Sequence, residues 1–250
     1  MLKIENLTKK YETKAKLFSK EKQTKLALDD VSLELTNGLY GLLGPNGAGK
    51  STLINIITGG LKQTKGSILW NGKSIRSQGI KYRKILGYMP QQQNLYDSFT
   101  GKQFLTYIAA LKKIETSLVE SEVIRVSESV NLKSELNKKL GAYSGGMKQR
   151  LLAAASIMGK PELLIMDEPT AGLDPKERVR LRNLISDISK ESIVLVATHV
   201  VSDVETVADK IILLKDGGII DFDSPSNLID KYAKGKGLEE VYLNIFGDDV

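Results

Sequence analysis

Residues 44–51 constrain the fold more than any other part of the sequence. They read Gly-Pro-Asn-Gly-Ala-Gly-Lys-Ser, which fits the phosphate-binding pattern of a glycine, four further residues, and then glycine, lysine and serine. The largely apolar run 39–43 precedes them, and residues 52–57 follow with a helical pattern. Because the motif requires a strand, a loop and a helix in this order, we predict an α/β fold.

The residue types of this loop suit a phosphate ligand. Glycines let the backbone take unusual dihedral angles and approach the ligand, and the N-terminus of the next helix adds N–H donors and partial positive charge. Lys50 would reach the β- and γ-phosphates, and the Ser51 hydroxyl would bind Mg²⁺. A glycine-rich turn is the plain alternative, but it gives Lys-Ser no packing role. The residues assigned to nucleotide binding here are Gly44, Pro45, Asn46, Gly47, Ala48, Gly49, Lys50, Ser51 and Thr52.

Composition excludes several classes of protein. A chain of 250 residues suits one α/β domain, with or without a sizeable insert. The absence of cysteine excludes disulfides, Cys-ligated zinc and iron–sulfur sites. No signal peptide is evident, and no apolar run approaches the roughly 18–20 residues of a transmembrane helix. We therefore expect a soluble protein whose membrane role, if any, comes through a partner.

The charge pattern adds little. Much of the net charge of +6 lies between Lys14 and Lys25, within a polar stretch that we interpret as an inserted loop over residues 12–25. A solvated lysine-rich surface explains it better than affinity for nucleic acid or a membrane. No nucleic-acid partner is expected.

Apolar patterning predicts an alternation of strands and helices along the chain. The early strands are expected to be antiparallel, with the strand before the phosphate loop opening a parallel set. Strands are predicted at 3–10, 28–35, 39–43, 66–70, 85–89, 163–166, 193–197 and 211–214. Helices are predicted at 52–57, at three places within 100–159 with the third from Ser144, at 175–189, at 201–208 and from Leu238.

Five further signals follow the phosphate loop in order. They are Pro90-Gln91, the tract Ser-Gly-Gly-Met-Lys-Gln-Arg at 144–150, Asp167-Glu168, Ala-Gly-Leu-Asp at 171–174, and Thr198-His199. The ordered set resembles the nucleotide-binding subunit of an ATP-binding cassette (ABC) transporter, over about residues 2–223.

The resemblance implies a P-loop NTPase fold with a RecA-like core, an antiparallel β subdomain and a helical ABC-specific insert. One ABC ATPase domain would span 1–250. Its core and β subdomain would take 1–97 and 160–250, and its helical subdomain 98–159.

Asp167-Glu168 resembles the Walker B end, so Asp167 would hold Mg²⁺, mostly through water, and Glu168 would act as general base. One carboxylate neutralised by metal leaves its neighbour free to accept a proton. An acidic strand end facing solvent is the alternative. It fits less well, because the pair follows a strand that reads as buried on both faces and precedes Pro169.

Residues 144–150 resemble the ABC signature, which in the family faces the γ-phosphate held by the other protomer. Ser144, Gly145 and Gly146 would bind nucleotide, and two nucleotides would lie in a dimer. A helix cap explains Ser144 alone but not two glycines that each cost about 1 kcal/mol in a helix. Tyr143 stands where the family usually has leucine, and Met147 where it has glutamine.

Four further residues carry family roles, each beside a simpler explanation. Gln91 would touch Mg²⁺ or the lytic water, although a solvated glutamine run (91–93) explains it as well. Tyr11 would stack on adenine, or simply pack at a strand end. His199, the only histidine, would bind the γ-phosphate and orient Glu168, although a lone histidine is usually structural. Asp174 would cross to the other protomer while also capping a helix before Pro175.

The implied function is ATP hydrolysis that powers an ABC transporter through ATP-driven dimerisation, with ATP and Mg²⁺ as cofactors. The catalytic set would be Glu168, His199, Lys50 and Gln91, the metal set Ser51, Gln91 and Asp167, and Asp174 would lie at the dimer interface. The partners would be transmembrane permease subunits, with this chain peripheral on the cytoplasmic face of the cell membrane. The tracts around Ser144 and Asp174 look most like ABC-2 exporters of antibiotics or peptides.

The main alternative is a soluble, non-transport cassette such as the iron–sulfur assembly ATPase. Long coiled-coil inserts, typical of DNA-repair cassettes, and the tandem copies of translation-factor cassettes are both missing. A GTPase is disfavoured because the sequence lacks an Asn-Lys-x-Asp tract.

Overall fold

A computed structural model describes residues 1–12, 24–92 and 95–247. Most of the loop expected at 12–25 lies outside these ranges, as does Gln93. The described chain forms two compact units. The first unit comprises Met1–Thr36, Tyr40–Gly79 and His199–Val250, and the second comprises Asn37–Leu39 and Ile80–Thr198.

Strands and helices alternate along the described chain. The strands are β1 (Leu2–Glu12), β2 (Thr24–Leu35), β3 (Gly38–Leu43), β4 (Lys65–Trp70), β5 (Lys73–Ser74), β6 (Leu86–Met89), β7 (Leu163–Asp167), β8 (Ile193–Ala197), β9 (Lys210–Lys215) and β10 (Gly218–Asp223). The helices are α1 (Lys50–Ile57), α2 (Ile75–Gln78), α3 (Ile80–Ile85), α4 (Gly101–Leu111), α5 (Thr116–Ser129), α6 (Gly145–Ser156), α7 (Pro175–Ser189), α8 (Ser202–Glu205), α9 (Pro225–Ala233) and α10 (Leu238–Phe246).

The first unit contains an antiparallel sheet with the strand order β2-β1-β4-β5. Its apolar positions alternate, so that Leu2, Ile4 and Leu33 point into the core while their neighbours stay at least partly exposed. β1 and β2 pair as far as Glu12 opposite Thr24. The antiparallel early strands predicted from the sequence are thus confirmed, and both run further than expected toward the undescribed residues 13–23.

The strand that delivers the phosphate loop belongs to a separate group in this unit. Residues 40–43 of β3 pair in parallel with β9, and β9 pairs antiparallel with β10. Every residue of β3 is buried, which explains its continuous apolar sequence. The buried strand fixes the point at which Gly44 leaves the sheet.

The second unit places three parallel strands side by side in the order β6, β7, β8. All residues of β7 and β8 are buried. Because parallel strands point their carboxyl ends to one edge, Met89, Asp167 and Ala197 end together there. Residues that follow these strands are thereby brought to the same edge of the unit.

Some elements differ from the sequence prediction. The helix expected at 201–208 is only the single turn α8, which ends at Glu205. Helices α2, α3 and α9 and strands β5 and β10 were not predicted. The helical tail was predicted, and α10 packs on its own unit, with Leu238, Val241 and Phe246 buried.

Helices α4, α5 and α6 all lie within 98–159, although assigning that range as a subdomain stays a prediction. None of the helices in the described ranges combines the length and hydropathy needed to span a bilayer.

Candidate functional site

The residues predicted to form the site fall into both units. The first unit carries Tyr11, the phosphate loop with Ser51 and Thr52, and His199. The second unit carries Gln91, Ser144, Gly145, Gly146, Asp167, Glu168 and Asp174.

The phosphate loop is a tight turn that only glycine can complete at two positions. A Cβ on Gly44 would lie 2.2 Å from the carbonyl oxygen of Leu214, and one on Gly49 would lie 2.6 Å from that of Ala27. Gly49 also has φ 111°, a conformation that side chains disfavour. A side chain at either position would therefore collide with the backbone of the same unit. Glycine lets the loop pack closely against that backbone.

Helix α1 begins directly from this loop, and no side chain caps it. By contrast, Thr100, Ser144, Asp174 and Ser224 each cap the helix that follows them. The first N–H groups of a helix need acceptors from outside the helix. The start of α1 therefore suits an anionic ligand, both through these donors and through the helix dipole.

Lys50 is held inside the loop by its own backbone. Its ammonium donates to the carbonyl oxygen of Gly44 and, at 3.0 Å, to that of Pro45. The charge is therefore kept beside the N–H groups instead of extending into solvent. Ser51, in the first turn of α1, is exposed, and its hydroxyl is a hard oxygen donor of the type that Mg²⁺ prefers.

Tyr11 lies near the end of β1, opposite Lys25 of β2. Tyr11 is 40% exposed, so its ring is not buried in the core of the unit. The ammonium of Lys9 lies 5.0 Å from the ring centroid and also donates to the carbonyl oxygen of Lys62, at 2.8 Å. One face of the ring thus contacts a fixed cation.

His199 opens the last segment of the first unit and is exposed. The single turn α8 follows three residues later. Its Glu205 accepts a hydrogen bond from the backbone N–H of Leu238 at 2.7 Å. The segment after His199 is therefore tied to the start of α10.

In the second unit, Asp167 is the last residue of β7 and Glu168 follows it. Both are buried, with 9% and 6% of their surface exposed. The Glu168 backbone N–H donates to the carbonyl oxygen of Ala197 at 2.8 Å, and its φ is 51°, in the left-handed region. A non-glycine residue in that conformation is strained, and such strain concentrates at functional positions.

Two residues that sequence reasoning missed hold Glu168 in place. The Thr198 hydroxyl donates to Oε2 of Glu168 at 3.1 Å. The Gln149 side chain donates to the backbone carbonyls of Glu168 and Pro169, at 2.8 and 3.1 Å. Gln149 lies within the motif at 144–150 and Thr198 precedes His199 in another motif. Their polar side chains, next to apolar sequence, could have indicated a role, because a buried polar side chain needs a partner.

The signature segment combines a cap with exposed backbone. Ser144 caps α6 by accepting from the N–H of Met147 at 3.2 Å. A Cβ on Gly146 would lie 3.3 Å from the carbonyl oxygen of Gly172, while one on Gly145 would meet open space. Of the two glycines, Gly146 therefore has a packing reason among the described residues. At Gly145 a side chain would meet no described neighbour.

Asp174 caps α7, accepting from the N–H of Glu177 at 3.0 Å, and Pro175 is the first helical residue. Gln91 is exposed just beyond β6. Burial raises the pKa of the Tyr88 hydroxyl in β6, and the nearby charge of Asp167 raises it further.

The residues predicted to hold the metal are few, but their oxygen donors are of the types that Mg²⁺ binds. In residues 1–12, 24–92 and 95–247, no group of three His, Cys, Asp or Glu side chains could hold a metal ion. The predicted set offers one hydroxyl, one carboxamide and one carboxylate. Mg²⁺ commonly binds through one or two carboxylates plus substrate phosphates and waters, and this donor set fits that mode.

Comparisons with known proteins agree with this geometry. The family model described as ABC transporter matches residues 28–171. The ABC transporter ATP-binding protein YxlF of Bacillus subtilis, itself uncharacterized, is 35% identical over 220 residues, covering 88% of this chain and 69% of that protein. ABC transporter A family member 1 of Dictyostelium discoideum is 35% identical over 236 residues, or 94% of this chain.

This chain spans 26% of the Dictyostelium protein and 23% of ABC transporter A family member 7 of Arabidopsis thaliana. It therefore corresponds to about a quarter of such relatives.

Solved structures show the same fold. An ATP-binding subunit of an ABC transporter aligns with a TM-score of 0.82 and 25% identity, covering 97% of this chain and 98% of that one. A dimeric ATP-binding cassette in a post-hydrolysis state, bound to ADP and Pi, aligns with a TM-score of 0.79 and 25% identity, covering 90% and 98% of the two chains. The chain has a P-loop NTPase fold and belongs to the ABC transporter family.

Proposed function

We propose that the chain binds ATP with Mg²⁺ and hydrolyses it to ADP and phosphate, and that this reaction drives an ABC transporter. The relatives and structural neighbours carry ABC transporter and ATP-binding cassette names, which favours transport over a soluble iron–sulfur assembly ATPase. The phosphate loop, Thr52 and Tyr11 would hold the nucleotide, and Ser51, Gln91 and Asp167 would hold the metal.

In the reaction, the oxygen of water attacks the γ-phosphorus and the bond to the β–γ bridging oxygen breaks. Glu168 accepts the proton of the attacking water. Lys50 and His199 donate hydrogen bonds to the γ-phosphate oxygens as their charge redistributes. Mg²⁺, when bound, supplies further charge neutralisation on the phosphates.

The observation that carries this proposal is the position of Glu168. Its carboxylate is buried beside Asp167 and accepts a hydrogen bond from Thr198. Its backbone is held in a strained conformation. Among the described carboxylates, burial and a left-handed backbone coincide at Glu168. A general base must be held at one place and kept out of bulk water, and this position meets both requirements.

The first prediction tests this carboxylate. Glu168→Gln should lower ATP turnover at least about 100-fold, since general-base catalysis contributes roughly 10²–10⁴, while the dissociation constant for ATP stays within about twofold. Phosphate release and equilibrium nucleotide binding measure the two effects. As the matched control, Glu162→Gln changes an exposed carboxylate just before the same strand and should leave turnover unchanged. Normal turnover in Glu168→Gln would refute its role as base.

We propose further that two copies bind two nucleotides between them, with Ser144, Gly145, Gly146 and Asp174 at the contact. Transmembrane permease subunits would place the chain peripherally on the cytoplasmic face of the membrane, and export, of the ABC-2 type, is the proposed direction. Co-purification from detergent extracts tests the partner. A stoichiometric integral membrane protein supports transport, and a soluble scaffold protein supports the iron–sulfur alternative.

A further inference from the structure

The single turn α8 lies in the chain between His199 and the helices α9 and α10, and all of them belong to the first unit. Val200 and Val201 separate His199 from α8, and backbone hydrogen bonds close this short segment. The N–H of Asp203 donates to the carbonyl oxygen of Val200 at 3.0 Å, and the N–H of Glu205 donates to that of Val201 at 3.1 Å. The hydrogen-bonded turn thus begins directly after His199, so a displacement of α8 would displace His199 with it.

One side of α8 packs on the strand that delivers the phosphate loop. Val204 is fully buried, and a Cβ on Gly41 of β3 would lie 3.1 Å from that of Val204. The backbone of β3 and the Val204 side chain are therefore in close contact. Gly44 opens the phosphate loop three residues after Gly41. The seat of α8 on β3 thus determines where His199 lies relative to this loop.

A second contact joins α8 to the start of α10. Glu205, the last residue of α8, accepts a hydrogen bond from the backbone N–H of Leu238, the first residue of α10, at 2.7 Å. Gly237 precedes α10 and offers no side chain to cap it. Because the first N–H groups of a helix need acceptors from outside the helix, the Glu205 carboxylate takes a place that α10 cannot fill from its own sequence.

Helix α10 is itself anchored to the unit. Its core-facing side chains are buried. Near its C-terminal end, the carbonyl oxygen of Ile245 accepts a hydrogen bond from the ammonium of Lys215, the last residue of β9, at 3.2 Å. The Asn244 side chain donates to the carbonyl oxygen of Tyr232 in α9 at 2.9 Å. A helix fixed along its core face and near its C-terminal end gives α8 a rigid partner.

We propose that Glu205 is a positioning residue for His199, and that its hydrogen bond to Leu238 holds α8, and His199 with it, at a fixed distance from the phosphate loop. This role rests on the proposed contact of His199 with the γ-phosphate, and it gives the C-terminal helix α10 a part in turnover. The donor at Leu238 is an uncharged N–H, so the reach of an oxygen acceptor is what Glu205 contributes. A plain helix cap would stabilise α10 without any effect on His199.

Two substitutions of Glu205 separate reach from charge. Glu205→Asp keeps the carboxylate, but its side chain is one methylene shorter, so its oxygen falls short of the Leu238 N–H. Glu205→Gln loses the charge and keeps an oxygen acceptor at the original reach. The matched control, Glu239→Asp, makes the same shortening at an exposed carboxylate in the first turn of α10. Phosphate release and equilibrium ATP binding are measured on the full chain, and urea denaturation is measured beside them.

Glu205→Asp should lower kcat at least about fivefold, because misplacing a catalytic group by about 1 Å can cost up to roughly 100-fold, while the dissociation constant for ATP stays within about twofold. Glu205→Gln and Glu239→Asp should turn over ATP at the wild-type rate. Unchanged turnover in Glu205→Asp would overturn the positioning role. So would the reverse pattern, in which Glu205→Gln loses turnover and Glu205→Asp keeps it, because charge and not reach would then matter.

The imidazole of His199 gives a direct readout, because His199 is the only histidine in the chain. Its NMR resonance is recorded with and without a non-hydrolysable ATP analogue and Mg²⁺. The analogue should shift this resonance in the wild type, in Glu205→Gln and in Glu239→Asp, and should shift it less in Glu205→Asp. An equal shift in Glu205→Asp, even with a lower denaturation midpoint, would reduce Glu205 to a plain helix cap. No shift in the wild type would instead overturn the proposed contact of His199 with the γ-phosphate, and the role of Glu205 with it.

Discussion

At the scale of single residues, hydrogen bonds from residues distant in the sequence hold the candidate general base in place. Glu168 is held by Thr198, which lies 30 residues further along the chain, and by Gln149. The sequence motifs identified Glu168, but pairing across such separations depends on the fold and could not be predicted from spacing. The contact of Lys9 with Tyr11 is different, since residues two apart in a strand share a face.

This contact gives a prediction about adenine binding. If Tyr11 stacks on adenine, the Lys9 ammonium holds the ring from its other face. Lys9→Met should weaken ATP binding by about two- to fivefold, as an exposed cation–π pair contributes roughly 0.5–1 kcal/mol. Binding of tripolyphosphate, which has no base, should not change. Titration calorimetry with both ligands measures the difference.

The matched control is Lys10→Met, because Lys10 is the next residue of β1, and successive side chains of a strand alternate between its two faces. Equal effects of the two substitutions, or a parallel loss of tripolyphosphate binding, would show that Lys9 acts only through general charge.

At the scale of elements, local signals predicted the capped helices α6 and α7 but not α9, although Ser224 caps it. Ser144 and Asp174 begin α6 and α7 as expected. The short helices α2 and α3 escaped prediction because four to six residues do not establish a helical period. The pattern at 201–208 does have helical spacing, yet the chain turns after Glu205. Both errors therefore concern helices of one or two turns.

One element contact explains why a glycine opens α4. A Cβ on Gly101 would lie 2.3 Å from the hydroxyl oxygen of Tyr143, and that hydroxyl donates to the carbonyl oxygen of Glu135 at 2.8 Å. Gly101→Ala should therefore lower the free energy of unfolding by about 1–3 kcal/mol through overpacking, although alanine has the higher helix propensity. Urea denaturation measures the change.

Tyr143→Phe provides the control for this pair. Alone, it should lose about 1 kcal/mol with its hydrogen bond, but together with Gly101→Ala it should recover part of the alanine penalty, because the hydroxyl is gone. A strictly additive double variant would refute the steric explanation.

Lys112, directly after α4, gives a pH dependence at the same scale. The pKa of Lys112 falls from 10.5 to about 8 on folding because burial disfavours its charge. Between these values the unfolded chain binds the proton more tightly, so this residue makes stability rise with pH from about 8 to about 10. Lys112→Met should flatten the wild-type rise in denaturation midpoint over that range. An identical pH profile in both proteins would contradict the buried-ammonium explanation.

At the scale of the whole molecule, the sequence predicted the α/β class, because each motif lies at a strand end or a helix start. The sequence could not predict which motifs meet at one site. We propose that a second copy of the chain contributes to that site. A composite site predicts that turnover per chain rises with protein concentration until the dimer is saturated.

Mixing two inactive variants tests the composite site directly. Lys50→Ala should disable the phosphate loop and Ser144→Arg the signature, yet a mixed dimer contains one site with both parts intact. The mixture should therefore turn over ATP faster than either variant alone, measured as phosphate release at equal total protein. A mixture no faster than the two separate variants would argue that each chain works alone.

The left-handed backbone of Glu168 also sets a limit on how stable this chain can become. Asparagine and glycine adopt that conformation more easily than glutamate, so either one would relieve strain on the order of 1 kcal/mol. Both also lack the carboxylate. A laboratory selection for thermal stability alone should therefore drift toward asparagine or glycine at this position. Because we propose Glu168 as the general base, we expect the resulting proteins to be more stable and to turn over ATP far more slowly.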